Sequence, residues 1–296
     1  FESEFGVVPG ASMAVLALGR LGARQLTATS DLDLIVLYDF NHKMRESDGR
    51  RKIDATVYYT RLTQRLVAAL TVPTRRGRLY EVDLRLRPDG GKGPVASQVD
   101  GFFNYQYKEA DLWEHMALTR ARPIAGDQAL CARVSKELTK LLTMRRDPKE
   151  VFRQAREMRG TIADVKGSDN PWDLKLAAGG IVDLDFLAQA FILAYAYKYP
   201  KLVGLGTEDV FSEAARLKLL GQEDANALIL AGQTFNNLQQ WQRTILSGAF
   251  DPKAVPDTIT AQFANLCGLP NAKALLAHLK ELQKTTFETV DKISLG

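Results

Sequence analysis

Asp31, Asp33 and Asp83 are the residues of this sequence best suited to chemistry. Asp31 and Asp33 sit in Ser30-Asp31-Leu32-Asp33-Leu34-Ile35, and Asp83 in Leu79-Tyr80-Glu81-Val82-Asp83-Leu84-Arg85-Leu86-Arg87. If both stretches are strands, their period of two puts Asp31 and Asp33 on one face and turns Leu32, Leu34 and Val36 into the core. The same period groups Asp83 with Arg85 and Arg87, against Val82, Leu84 and Leu86. Three carboxylates brought together in one sheet repel unless a cation neutralises them. Hard Mg2+ suits such oxygen ligands and keeps positions for substrate phosphates. Two ions about 4 Å apart could hold both the attacking and the leaving oxygen of a phosphoryl displacement. Arg85 and Arg87 would then meet the remaining phosphate charge. The competing reading is a set of solvated strand-edge acids paired with those arginines. An isolated Asp-x-Asp favours that reading, whereas a third acid followed by in-phase arginines favours a site.

The elements that must position these residues fall into two groups. Up to about Gly126, short β-like runs alternate with helical ones: Ser12–Leu18 and Asp31–Tyr38 read as strands, and Asp54–Leu70 carries a helical apolar stripe. Leu79–Arg87 reads as a further strand stopped by Pro88-Asp89-Gly90-Gly91, and one helix is expected from about Phe102 to Thr119. Beyond Gly126 the strands vanish. Gln128–Met144, Lys149–Val165, Asp183–Tyr199, Thr207–Leu219, Glu223–Leu246, Asp257–Cys267 and Ala272–Ile293 all suit amphipathic helices. The fold class expected is therefore α+β over residues 1–127, followed by an all-α helical bundle over residues 128–296.

Composition sets bounds on function. The chain has 296 residues, 46% hydrophobic and 25% charged, as in ordinary globular proteins. No apolar run approaches the ~20 residues of a membrane span. The start, FESEFGVVPG, has neither a Met nor the segments of a signal peptide, so a domain of a longer, cytoplasmic protein is expected. Two cysteines, Cys131 and Cys267, cannot build a disulfide framework and read as small, reduced, core-type residues. Three histidines without metal-ligand spacing argue against a histidine-held zinc. A net charge of +4 suits an anionic small ligand and is too small to argue for nucleic acid.

The turn Leu18-Gly19-Arg20-Leu21-Gly22 is neither a dinucleotide fingerprint nor a P-loop, although its amides could approach a phosphate. Followed by Ser30-Asp31-Leu32-Asp33-Leu34, it resembles the signature of the nucleotidyltransferase superfamily: a glycine turn, a gap of about ten residues, an Asp-x-Asp pair and a third acid on a later strand. More closely, the chain resembles the glutamine synthetase adenylyltransferase family. The matching pieces are LGRLGARQLTATSDLDLIVLYD, LYEVDLRLRPDGGKGP, WEHMALTRARPIAGD and KLAAGGIVDLDFLAQ, in that order from residue 18 to about 190.

The resemblance implies a nucleotidyltransferase-fold mixed sheet with helices, Mg2+ (two ions) and ATP as substrate. It makes Asp31 and Asp33 ligands of both ions and Asp83 a ligand of one, these acids forming the catalytic set. Gly19 and Ser30 would shape the triphosphate pocket, with Arg85 and Arg87 as further nucleotide-binding residues. The implied activity is transfer of AMP from ATP to a tyrosine hydroxyl of glutamine synthetase, regulating nitrogen assimilation. In the longer protein a PII-type signalling protein is an implied partner; nucleic acid and membrane are not.

Family members carry two such halves, one attaching AMP and one removing it by phosphorolysis. Glu81-Val82-Asp83, Trp113-Glu114-His115 and Ile181-Val182-Asp183 look more like the attaching, C-terminal half. The alternatives are the de-adenylylating half and a non-catalytic nucleotide-sensing domain. Ala23 and Gln25 depart from the family's usual glycine and glutamate, which puts that glutamate's positioning role in doubt. Lys175, Asp183 and Asp185 flank Gly179-Gly180 and could reach a nucleotide, but a turn followed by a helix start accounts for them better.

Overall fold

The computed structural model describes residues 1–75, 77–245, 250–252 and 255–295 and divides into two compact units. The first comprises Phe1–Leu26 and Ser30–Leu142, the second Thr27–Thr29 and Thr143–Gly296. In chain order the first unit holds α1 (Glu2–Phe5), β1 (Ser12–Ala17), α2 (Gly19–Gly22), β2 (Leu32–Asp39), α3 (Ala55–Thr71), β3 (Val82–Asp83) and β4 (Ser97–Gln98). It continues through α4 (Val99–Lys108), α5 (Leu112–Leu118), β5 (Arg122–Gly126) and α6 (Gln128–Leu142).

The sheet is mixed and ordered β3-β2-β1-β5, with β4 pairing β2 further along the edge that β3 uses. β1 runs antiparallel to β2, from Ser12 opposite Asp39 to Ala17 opposite Leu34. β3 runs parallel to β2, Leu32 facing Val82 and Asp33 facing Asp83. Both faces of β2 are covered, and it reads as a near-continuous apolar run for that reason. Leu34, Val36 and Tyr38 cluster with Tyr58 and Tyr59 of α3, Tyr38 stacking on Tyr59 at 4.8 Å. Ile35 and Leu37, in phase with Asp33, are equally buried. Asp54 starts α3 by accepting the Thr56 backbone N–H at 2.9 Å.

Four features of this unit differ from expectation. The strand expected over Leu79–Arg87 shrinks to Val82–Asp83. Asp83 Oδ1 accepts the backbone N–H of Arg85 at 2.8 Å, a local turn that competes with strand pairing. The helix expected from Phe102 to Thr119 is two helices, because Asp111 and Glu114 form a capping box that starts α5 afresh. β5, with Pro123 and Gly126, lacks a strand pattern and forms as an edge strand on β1. Helix α6, assigned from sequence to the bundle, packs on β5, β1 and α4 and clusters with the first unit.

The second unit is helical: α7 (Pro148–Lys166), α8 (Ile181–Tyr195), α9 (Thr207–Arg216), α10 (Gln222–Ile245), α11 (Asp257–Leu266) and α12 (Ala272–Leu295). The expected end of the fifth helix at Leu246 lies outside the described residues. α8 packs on α7, α9, α10 and α12. Ten of its 15 residues are buried, so it is apolar on nearly every side, as a central bundle helix must be. Asp147 caps α7 and Pro148 takes its first position. No described helix is long and apolar enough to cross a membrane.

Candidate active site

Asp31, Asp33 and Asp83 come together at one end of the sheet. Each offers an oxygen within 4.8 Å of the others; Asp31 is exposed, and Asp33 and Asp83 are half-buried. The parallel register of β2 and β3 accounts for this, since it sets Asp33 opposite Asp83. Ser30, half-buried, directly precedes the first acid.

The glycine turn is the single helical turn α2, and it lies against this cluster. Leu18 N–H donates to the Asp33 carbonyl at 2.9 Å. Gly19 has φ +50°, and a β-carbon there would fall 2.0 Å from Asp33 Oδ2. Only glycine fits between this backbone and that carboxylate. At the other end of α2, a β-carbon on Gly22 would meet the Arg120 carbonyl oxygen at 2.2 Å. Arg122 of β5 clamps this end, its Nε donating to the Gly22 carbonyl and its Nη2 to that of Leu21, both at 3.0 Å. Arg20 turns its Nε to the Gln25 carbonyl at 2.8 Å.

Beyond Asp83 the strand phase ends, and the two arginines expected on its face part company. Arg85 stays with Asp83: its Nε and Nη2 engage the carboxylate at 2.5 to 3.0 Å. The side-chain bond from Arg85 holds the Asp83 carboxyl below the ordinary carboxylate range, and burial opposes it. Arg87 is buried, and its guanidinium donates to the carbonyls of Leu84, Gly91 and Gly93 at 2.6 to 3.4 Å. Its donors brace the turn over residues 84–93 rather than flanking Asp83. A period-two reading could not anticipate this, because the period lapses once the chain leaves β3.

Glu114, marked in the sequence only within Trp113-Glu114-His115, is a buried acid. Glu114 accepts the Tyr105 hydroxyl at 3.0 Å and the Asp111 N–H at 3.1 Å. Burial raises its pKa, and the Tyr105 hydroxyl is pushed up to about 12, mostly by burial. The spacing Asp111-x-x-Glu114 is a capping-box signature that could have revealed it.

In the second unit, Asp183 is buried and forms a two-pronged ion pair with Arg159, at 2.8 and 2.9 Å. Its Oδ2 also accepts the Gly179 N–H at 2.9 Å. Asp185 accepts the Thr207 hydroxyl at 3.0 Å, and Lys175 is exposed. The Gly179-Gly180 segment is thus tied to α7 through Asp183, which is the structural role. Arg159, on α7, is itself buried in this pair. Cys131 and Cys267 are free thiols, both half-buried, and burial raises the pKa of each.

The three carboxylates fit a hard divalent ion. On Mg2+, opposite oxygens stand about 4.2 Å apart and adjacent ones about 3 Å. A set within 4.8 Å therefore lies within side-chain reach of a common ion. All donors are carboxylate oxygens, which select Mg2+ or Mn2+ over softer metals.

A small mixed sheet carrying a glycine turn, an Asp-x-Asp pair and a third acid on the neighbouring strand, with helices beyond, defines a nucleotidyltransferase-fold protein. Residues 7–137 match the family model described as glutamate-ammonia ligase adenylyltransferase. The chain is 43% identical, over 96% of its length, to a bifunctional glutamine synthetase adenylyltransferase/adenylyl-removing enzyme of Rhodopseudomonas palustris. Proteins of the same description from Xanthobacter autotrophicus and Bradyrhizobium diazoefficiens are 44% and 41% identical over 98% and 96% of the chain. The chain belongs to the glutamate-ammonia ligase adenylyltransferase family. It spans 29%, 30% and 28% of the length of these three relatives.

Proposed function

We propose that this chain transfers AMP from ATP to a tyrosine hydroxyl of glutamine synthetase. The observation that carries the reading is the acid trio packed against Gly19, in a chain similar over nearly its whole length to bifunctional adenylyltransferases. The relatives' description covers both addition and removal of the adenylyl group. Addition is favoured by Glu81-Val82-Asp83, Trp113-Glu114-His115 and Ile181-Val182-Asp183, which resemble the attaching half.

In this reading Asp31, Asp33 and Asp83 hold two Mg2+ ions, Asp31 and Asp33 serving both. When bound, Mg2+ supplies the positive charge that offsets the α-phosphate and the departing pyrophosphate. The tyrosine oxygen bonds to the α-phosphorus, the bond from that phosphorus to the bridging oxygen breaks, and pyrophosphate leaves with the electron pair. In the same reading Asp83 would take the hydroxyl proton. Gly19 and Ser30 bring the backbone close to the triphosphate, and Arg85 offers a guanidinium to its phosphates. Arg87 serves the nucleotide indirectly, by fixing the turn from which Arg85 projects.

The test mixes the chain with Mg2+, α-labelled ATP and glutamine synthetase. Label is expected on a glutamine synthetase tyrosine. Absence of label, together with ADP release from adenylylated glutamine synthetase and phosphate, would assign the chain to the removing direction instead. ATP binding with neither reaction would leave only a nucleotide-sensing role.

A further inference from the structure

The carboxylate of Asp83 already carries a cationic partner. Arg85 Nε lies 3.0 and 2.9 Å from its two oxygens and Nη2 lies 2.5 Å from Oδ2. Both oxygens of one proposed metal ligand are thus covered by a guanidinium. The covering arm is exposed and its root is held. The Arg85 side chain is 79% exposed, against 16% for Asp83. The Arg85 backbone N–H donates to Asp83 Oδ1, while Arg87 grips the Leu84 carbonyl at 2.6 Å and the Gly93 carbonyl at 3.1 Å. Any adjustment therefore falls on the arm and not on the main chain. A divalent ion on Asp83 repels the guanidinium held by the same carboxylate, and the exposed partner is the one able to yield. Once displaced, Arg85 still projects from the acid cluster, where a planar fork of donors matches a phosphate.

We infer that Arg85 is an exchange residue: it holds Asp83 before the ion arrives, gives way to it, and turns its guanidinium to the phosphates of the incoming nucleotide. The inference rests on the metal-dependent reading above and adds an order of events to it. Arg85 thereby weakens the binding of a bare ion and strengthens that of the ion–nucleotide complex, which favours loading of the two together.

The experiment titrates Mn2+ into the nucleotide-free protein, following free Mn2+ by electron paramagnetic resonance, for the wild type and Arg85→Met. Loss of an exposed competing pair predicts that the variant binds Mn2+ about two- to fivefold more tightly. Equilibrium dialysis should show its affinity for MgATP about tenfold weaker, from one lost charge-assisted contact. Equal or weaker Mn2+ binding by the variant would overturn the exchange, as would tighter Mn2+ binding with unchanged MgATP affinity. Failure of both proteins to bind Mn2+, with ATP absent or present, would instead overturn the metal-dependent reading itself, so the two failures are distinguishable. Thermal melting of the nucleotide-free variant confirms that it is folded.

Discussion

Gly19 lies directly against the carboxylate of Asp33. A β-carbon at Gly19 would sit 2.0 Å from Oδ2 and 2.8 Å from Cγ, and Leu18 N–H donates to the Asp33 carbonyl. The glycine turn and the acid pair are therefore one steric unit, although 14 positions separate them in the chain. In the proposed reading, a nucleotide approaching the acids would meet this bare backbone.

Substitution at that contact has a defined outcome. Gly19→Ala must push Asp33 aside and also hold a positive φ that costs an ordinary residue about 1–2 kcal/mol. Transfer activity is expected to fall about 100-fold, as misplacement of a catalytic group by about 1 Å does. Steady-state kinetics alongside a thermal melt checks this; an alanine variant with wild-type kcat would refute the steric coupling.

The acids themselves should matter to chemistry far more than to folding, because they lie at the solvent-facing end of the sheet. Asp31→Asn/Asp33→Asn is expected to lose AMP transfer by roughly three orders of magnitude or more. Its circular dichroism and melting temperature should stay near wild type. Retained AMP transfer would sink the catalytic assignment.

Arg87 offers a contrast with Arg85. Its guanidinium is buried among the carbonyls of Leu84, Gly91 and Gly93, so Arg87→Met leaves acceptors without partners and should cost about 1–3 kcal/mol. Amide hydrogen exchange across residues 84–93 should quicken. Unaltered exchange there would show that the bracing is energetically empty.

In the helical unit, Arg159 and Asp183 should behave as a buried pair. Arg159→Met alone leaves the Asp183 carboxylate uncompensated and is expected to cost about 3–5 kcal/mol. Arg159→Met/Asp183→Leu should regain part of that. It would remain about 1–3 kcal/mol short, because the Gly179 N–H loses its acceptor. Urea unfolding of both variants measures the difference, and a double variant no better than the single would contradict it.

Glu114 gives a pH signature. Burial raises its folded-state pKa above the ordinary 4.5, so the folded protein keeps this proton longer than the unfolded chain does. Its contribution to stability is therefore fully present below 4.5, falls as pH rises through the raised folded value, and is gone above it. Glu114→Gln should flatten that part of the profile while keeping an acceptor for Tyr105. Unfolding free energies between pH 4 and 7 test this, and an unchanged slope would rule Glu114 out as its source.

The sequence by itself determined the strands around Leu16 and Val36, the tyrosine-bearing helix after Asp54 and the run of helices after Gln128. In most of these, propensity and apolar patterning agree locally. It also singled out Asp31, Asp33 and Asp83, because a two-residue period and a shared charge are visible without coordinates. What it could not decide depends on which groups the folded backbone brings within hydrogen-bonding reach, near or far in the chain. β3 stops at Asp83 because a side chain of the strand itself turns the backbone, and β5 exists only because β1 offers an open edge. Arg87 and Arg159, alike in sequence to solvated arginines, are buried because a turn of the backbone supplies the carbonyls that Arg87 meets and helix packing supplies the carboxylate that Arg159 meets. A guanidinium carries the same charge in either setting, and only the arrangement of acceptors around it decides whether it binds a ligand or holds the fold.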